Sequence, residues 1–418
     1  DAVKEEEVKE GMEAEAEEAA GEEEEEVEEV EQEEEEEEDA FEEGLKLRKQ
    51  FGAENVYDFS LGNPDLEPPA EVKTAIKKAA ECTEKGMHGY MPNAGYDFAR
   101  NAMAEKVSGE QGVKVEGKNI VMACGAAGGL NAVFKAILSP GEEIIVPSPF
   151  FAEYTFYCAN HGGKLVAVNT KDDFSLDIDA IKAALNEKTA GVLINSPNNP
   201  SGKIYSKEDI CALAAALKEH QEKTGREVFL VADEPYRAIT YGKTVASVFD
   251  VYKSSLVVSS FAKNLSLPGE RLGYVAVNPA CPNADKVVTA VVYCTRVLGY
   301  VNAPAFFQRV CAEVWNAPVD YSSYLRRRDA LTANLRAAGI EYGEPEGAFY
   351  LFCKVPEGKN GSTDENDFCK CLLEQHILGV PGTGFGKRGY FRLAYCVSEQ
   401  TITNSAQAWK DAVANWKK

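Results

Sequence analysis

Uninterrupted apolar runs alternate with longer helical patterns from about residue 118 to 280. Val121-Met122-Ala123-Cys124, Val192-Leu193-Ile194, Phe229-Leu230-Val231-Ala232 and Val257-Val258 each run straight into Gly, Asn, Asp or Ser. Runs of this kind predict strands buried on both faces, and helices between them predict a mostly parallel sheet covered by helices on both sides. After residue 280 the pattern changes. Ala312 to Ala338 reads largely as helix, and Gly347 to Ser398 mixes short strands with a helix. The pattern therefore predicts an α/β chain with a large domain over 70–310, a smaller α+β domain over 311–418, and a segment 41–69 that joins the small domain or a dimer interface.

Charge sets the first residues apart. Residues 1–43 hold 26 Asp and Glu against two Lys, which accounts for the whole formal charge of −24. The remaining chain is neutral, so no basic surface for nucleic acid is expected. Residues 1–40, with Glu33 to Glu38 unbroken, form an acidic low-complexity extension that cannot bury enough apolar surface to fold alone. It reads as a solvated, disordered extension or an acidic interaction tail, with helix accessible where the charges are screened.

Candidate chemistry sits where the predicted strands end. Lys263 follows the strand Val257 to Ser260, and Arg271 comes eight residues later. Desolvation at such a position favours the neutral amine, which attacks carbonyls, and a nearby guanidinium can hold a phosphate. The pair suggests a site for pyridoxal 5'-phosphate, whose aldehyde needs an amine and whose phosphate needs a fixed cation. Asp233 ends another strand and can pair with a protonated pyridine nitrogen, with Tyr236 three residues on; Asp before Glu-Pro is equally a helix N-cap. Asn199 lies in the turn Asn195-Ser196-Pro197-Asn198-Asn199-Pro200-Ser201-Gly202, where an ordinary turn would explain it as well. Gly125-Ala126-Ala127-Gly128-Gly129 opens the helical stretch Leu130 to Leu138, and serves either as a phosphate cradle or as a close-packed connection.

The order of these four segments closely resembles the fold-type I enzymes that use pyridoxal 5'-phosphate, in particular the class I and II aminotransferases of bacterial aspartate-aminotransferase type. The resemblance covers roughly residues 41 to 418. It implies that Lys263 holds the cofactor as a Schiff base and later carries the proton, and that Asp233 binds the pyridine nitrogen. Tyr236 and Asn199 would contact the phenolic oxygen. Ser260, Arg271, Gly125 and the backbone of Ala126 and Ala127 would bind the phosphate, although two alanines stand where the family often has hydroxyls. Phe151 would stack on the ring, or Phe150 if the register slips by one. Arg392, in the alternating strand Gly389 to Tyr395, would grip the substrate α-carboxylate near Gly62. Tyr90 matches a tyrosine that reaches the phosphate of a partner subunit, which implies a homodimer with composite sites. The implied reaction is ping-pong transfer of an amino group between an L-amino acid and a 2-oxo acid. A carbon–sulfur β-lyase on the same fold would share every cofactor contact, whereas the complete set of Lys263, Asp233, Asn199, Tyr236, Arg271 and Arg392 argues against the third alternative, a non-catalytic binding protein. A second cation for a dicarboxylate could come by type from Arg237, Arg296 or Arg309, while Tyr300 could line an apolar pocket.

Eleven cysteines are scattered, with Cys369-x-Cys371 the only close pair, so neither a metal site nor a disulfide framework is expected. An odd count of this kind fits reduced thiols in the cytoplasm. No basic-then-apolar leader and no run of about eighteen apolar residues is visible, so neither secretion nor a membrane span is expected.

Overall fold

The computed structural model describes residues 42–418, so the acidic extension read over residues 1–40 lies outside the described residues. Twelve strands are described, in chain order β1 (Tyr57–Asp58), β2 (Ile120–Ala123), β3 (Glu143–Ser148), β4 (Lys164–Asn169), β5 (Thr189–Asn195), β6 (Phe229–Asp233), β7 (Ser255–Ser260), β8 (Gly273–Val277), β9 (Tyr350–Lys354), β10 (Ile377–Leu378), β11 (Val380–Pro381) and β12 (Tyr390–Ala394). Seven of them form one sheet in the order β2-β8-β7-β6-β5-β3-β4. All its pairings are parallel except those of β8, which runs antiparallel to both β2 and β7.

The apolar runs explain this sheet. Every residue of β5 and β7 is buried, and successive side chains leave on opposite faces. Val192, Ile194, Leu230, Ala232 and Val257 join one core, while Leu193, Val231, Leu256 and Val258 join the core on the other face. Burial on both faces requires apolar side chains at consecutive positions, which is why these strands show no alternation. Helices Gly125–Ile137 and Ala284–Val297 cover the second face, and helix Asp97–Gln111 contributes to the first.

A smaller α+β unit has its own core. Strands β11, β12 and β9 form an antiparallel sheet with β12 in the middle, and β1 pairs in parallel with β10. Phe59, Leu331, Leu335, Phe349, Leu351, Phe391 and Trp409 fill this core. The segment before residue 70 thus joins the small unit through β1 and Phe59. Tyr236 and Ile239, just beyond β6, belong to the same core, so the loop that carries the candidate site is clamped between the two units.

The helix expected over Ala312 to Ala338 is two helices. One ends at Val314 and the next begins at Ser322. Pro318 lies in the gap; its ring lacks an N–H and disfavours helix at the preceding residue.

Candidate active site

The C-terminal edges of β5, β6 and β7 deliver Asn195, Asp233 and Ser260 to one cavity of about 320 Å³. Edges of this kind are where parallel sheets bind ligands. The wall also includes Gly62, Ala126, Ala127, Phe151, Asn199, Tyr236, Lys263, Arg271 and Arg392. Of the residues proposed from sequence, Gly125 touches this wall through Arg271 rather than lining it, and Tyr90 stands elsewhere, 92% exposed.

Asp233 is buried, and burial pushes its carboxyl up to about 7 although the Tyr154 hydroxyl opposes the shift. Tyr154 donates to Asp233 Oδ2 at 2.6 Å, and the Asn195 amide donates to the Asp233 carbonyl at 2.9 Å. The other oxygen, Oδ1, has no hydrogen-bond partner among the described residues. A buried carboxylate held on one oxygen and bare on the other is built to receive a cationic donor. The N-cap alternative fails, because residues 235–238 form a turn rather than a helix.

Lys263 is held at the far side of the cavity. Its Nζ donates to the Gly62 carbonyl at 2.7 Å and lies 5.9 Å from the Tyr236 ring and 5.7 Å from the Phe349 ring. Burial lowers its ammonium to about 8, with the Arg392 and Arg271 charges acting in the same direction. The Tyr236 and Tyr350 hydroxyls meet at 3.0 Å, and burial drives the Tyr236 phenol well above its ordinary value. Gly62 has no room for a side chain, because a Cβ there would run into the Tyr350 hydroxyl. Gly62→Ala is expected to displace Tyr350 and lower turnover at least tenfold with the circular dichroism spectrum unchanged; parental turnover would show that the contact is slack.

The glycine-rich turn serves both readings. Gly125 takes φ +72°, which lets the chain enter helix Gly125–Ile137 beside the Arg271 guanidinium. No side chain caps this helix, so its first N–H groups face the cavity at Ala126 and Ala127. Gly129, one turn on, lets the helix approach Val258 and Val275. In the Asn-Pro turn the local work falls to Asn198, whose Oδ1 accepts from the Ser201 N–H at 3.0 Å and the Ser201 hydroxyl at 2.7 Å. Asn199 faces the cavity instead, 3.5 Å from an Arg392 Nη1 donor.

Arg392 lies on the central strand β12, not on an edge, and is 3% exposed. Its Nη2 donates to the Ser60 carbonyl at 2.7 Å, and its guanidinium carbon lies 4.6 Å from the centre of the Phe385 ring and 5.2 Å from that of Tyr350. Phe151 lines the cavity, whereas Phe150 is buried in the core of the large sheet. The sequence reading missed Tyr154, Tyr157, Asn195, Glu153 and Tyr350. Asn195 alone had a signal, since it closes the same strand-to-turn motif as Asn199.

A desolvated lysine, a bare buried carboxylate oxygen, a helix N-terminus beside an arginine and a second buried arginine are the groups that a phosphate-bearing aldehyde cofactor and an amino acid would require. Residues 54–408 match the family described as aminotransferase class I and II. The chain is 32% identical over 378 residues to the probable aspartate/prephenate aminotransferase of Aquifex aeolicus, covering 86% of this chain and 91% of that one. It is 31% identical to the aspartate/prephenate aminotransferase of Thermus thermophilus, covering 87% and 92% of the two chains. Among solved structures, an aminotransferase from Eubacterium rectale superposes with a TM-score of 0.87 at 37% identity, over 91% of this chain and 96% of that one. The aspartate aminotransferase of Thermus thermophilus with maleate gives 0.80 at 30% identity, over 89% and 95%. This chain belongs to the class I and II aminotransferases, and its cofactor is pyridoxal 5'-phosphate. The site residues fit that cofactor, because the bare Asp233 Oδ1 is the acceptor that a protonated pyridine ring requires.

Among the described residues no cluster of His, Cys, Asp and Glu could hold a metal ion, and no helix is long and apolar enough to cross a membrane.

Proposed function

We propose that this chain moves an amino group between an L-amino acid and a 2-oxo acid with Lys263 as the proton carrier. One observation carries the assignment: the desolvated Lys263 amine shares a cavity with the bare Asp233 oxygen and the Arg392 guanidinium. When bound, pyridoxal 5'-phosphate supplies an electron sink for the charge that develops at the substrate α-carbon. Asp233 Oδ1 keeps a proton on the pyridine nitrogen. Arg271, the Ser260 hydroxyl and the first N–H groups of helix Gly125–Ile137 hold the phosphate. Phe151 covers one face of the ring, and Tyr236 and Asn199 fix its phenolic edge. Arg392 orients the amino acid by its α-carboxylate, with the Gly62 backbone beside it. Lys263 Nζ, on the same cavity wall, would take the α-proton of the bound amino acid and deliver it to the cofactor's aldehyde carbon, as general base and then general acid.

The names of the relatives favour transamination over carbon–sulfur cleavage. The test is to add single amino acids to the loaded protein without a 2-oxo acid. A bound-cofactor absorbance that changes once, stoichiometrically, and returns on adding a 2-oxo acid supports the proposal. Steady release of ammonia and pyruvate would replace it with elimination.

Arg392→Ala is expected to raise the half-saturating amino acid concentration by about two orders of magnitude, the worth of a charge-assisted pair in a buried site. An unaltered saturation curve would reject the carboxylate clamp.

The working unit proposed is a homodimer in which Tyr90 reaches the partner's phosphate. Support comes from the exposure of Tyr90, Leu61, Tyr293, Val297 and Tyr300, large side chains of the kind that subunit contacts cover. A cytoplasmic location suits eleven cysteines that form no disulfide among the described residues.

A further inference from the structure

The cavity contains three cations, and transamination uses all of them. Lys263 carries the cofactor and the proton, Arg271 faces the phosphate, and Arg392 faces the α-carboxylate. The other arginines considered for a second carboxylate have different work. Arg237 is fixed beyond the cavity wall, with Nη1 2.8 Å from Glu234 Oε1 and Nη2 donating to the Glu110 carbonyl at 2.7 Å. Arg309 pairs with Glu84 at 2.9 Å and stacks over Tyr96 and Phe98. Arg296 is exposed on helix Ala284–Val297 and does not line the cavity.

The wall not yet given a role includes Leu61, Leu130, Tyr157, Tyr350 and Glu153. Glu153 acts on its surroundings: burial pushes the Tyr157 phenol up and the Glu153 charge pushes it further, while the same charge favours the protonated form of Lys263. A second substrate carboxylate in this cavity would lose its hydration, find no cation left over among the described residues and face a like charge, each of which is unfavourable. An aromatic or aliphatic side chain would meet apolar surface instead.

We infer that the amino donor of this enzyme carries an uncharged, apolar or aromatic side chain, and that Glu153 acts against dicarboxylic donors. This rests on the transaminase reading of the same site, and in particular on Arg392 being taken by the α-carboxylate. Specificity of this kind comes from a repulsive element as much as from an attractive one.

The experiment uses the cofactor-loaded protein and single-turnover reaction with L-phenylalanine, L-tyrosine, L-leucine, L-aspartate and L-glutamate. Binding of the unreactive acids 3-phenylpropanoate and succinate is titrated in parallel through the cofactor absorbance. Uncharged donors should react at least tenfold faster per unit concentration than the dicarboxylic ones, and 3-phenylpropanoate should bind at least tenfold more tightly than succinate. Glu153→Gln should narrow the preference for phenylalanine over aspartate by about three- to tenfold. If aspartate or glutamate matches the uncharged donors, a cation from a partner subunit reaches the cavity and this inference fails while transamination stands. If Glu153→Gln leaves the ratio unchanged, the role of Glu153 fails. Inertness toward all five amino acids would overturn the transaminase reading and this inference with it.

Discussion

Lys263→Ala is expected to lower transamination by about four orders of magnitude or more and to leave no cofactor attached to the protein after borohydride treatment. Two losses combine. The anchoring amine is gone, and so is the only basic nitrogen that the cavity offers the substrate α-carbon among the described residues. The pH dependence of attachment provides a sharper measurement. Burial lowers the Lys263 ammonium from 10.5 to about 8. At pH 7 about one tenth of such a group is neutral, against about three in ten thousand for an ordinary lysine, a gain of about 300-fold in reactive amine. Mixed with the cofactor-free protein, pyridoxal 5'-phosphate should therefore attach at a rate that climbs from pH 6, is half its maximum near pH 8 and levels above that. A rate still rising tenfold per unit between pH 8 and 10 would show that the amine is solvated and that the packing against Tyr236 and Phe349 is loose in solution. An adduct trapped on the Lys263→Ala protein would place the linkage on another residue.

The sequence made the large sheet and the family legible because both are written in short local segments. Lys263, Asp233, Asn199 and Arg271 each follow or close a strand, and the fold brings the ends of neighbouring strands together without further instruction. β5 and β6 pair in a register that sets Asn195 opposite Asp233, and β6 and β7 set Asp233 opposite Val258. What stayed illegible depends on contacts between distant segments. Tyr154 stands 79 residues before Asp233, in a stretch already rich in aromatics, and only the packed structure aims its hydroxyl at the carboxylate. Tyr350 pairs with Tyr236 across 114 residues for the same reason. The choice between Phe151 and Phe150 was open because adjacent residues differ only in the direction they face, which the sheet and its core decide. The break near Pro318 was readable from the proline itself, but the apolar and helix-forming residues on either side obscured it. The arginines Arg237 and Arg309 were candidates by type alone; their partners Glu234 and Glu84 show that residue type without location could not assign them.

Asp233→Asn is expected to make the cofactor-free protein more stable at pH 8 while lowering the activity of the loaded protein by at least two to three orders of magnitude. The Asp233 carboxyl titrates near 7 in the folded chain against 3.8 for an ordinary aspartate, mainly because burial disfavours its charge. Between those two values the folded state binds the proton that the unfolded state has released. Stability contributed by this group is therefore greatest below pH 4, falls as pH rises toward 7, and is at its minimum above that. The full penalty is on the order of 4 kcal/mol as an upper bound. An asparagine carries no charge to desolvate and can still accept from Tyr154, although its bare amide nitrogen offsets part of the gain. Glu234, which burial also pushes up to about 7, is present in both proteins and largely cancels in their difference. Melting temperatures at pH 4 and pH 8, without and with pyridoxal 5'-phosphate, check the argument. The variant should gain several degrees over the parent at pH 8 without cofactor, and close to none at pH 4. Added cofactor should reverse the order at pH 8, because a ring N–H cation is the partner that Oδ1 lacks in the protein alone. A variant that is no more stable than the parent at pH 8, or that gains from the cofactor as much as the parent does, would mean that Asp233 is solvated or already paired. Its assignment to the pyridine nitrogen would then fall.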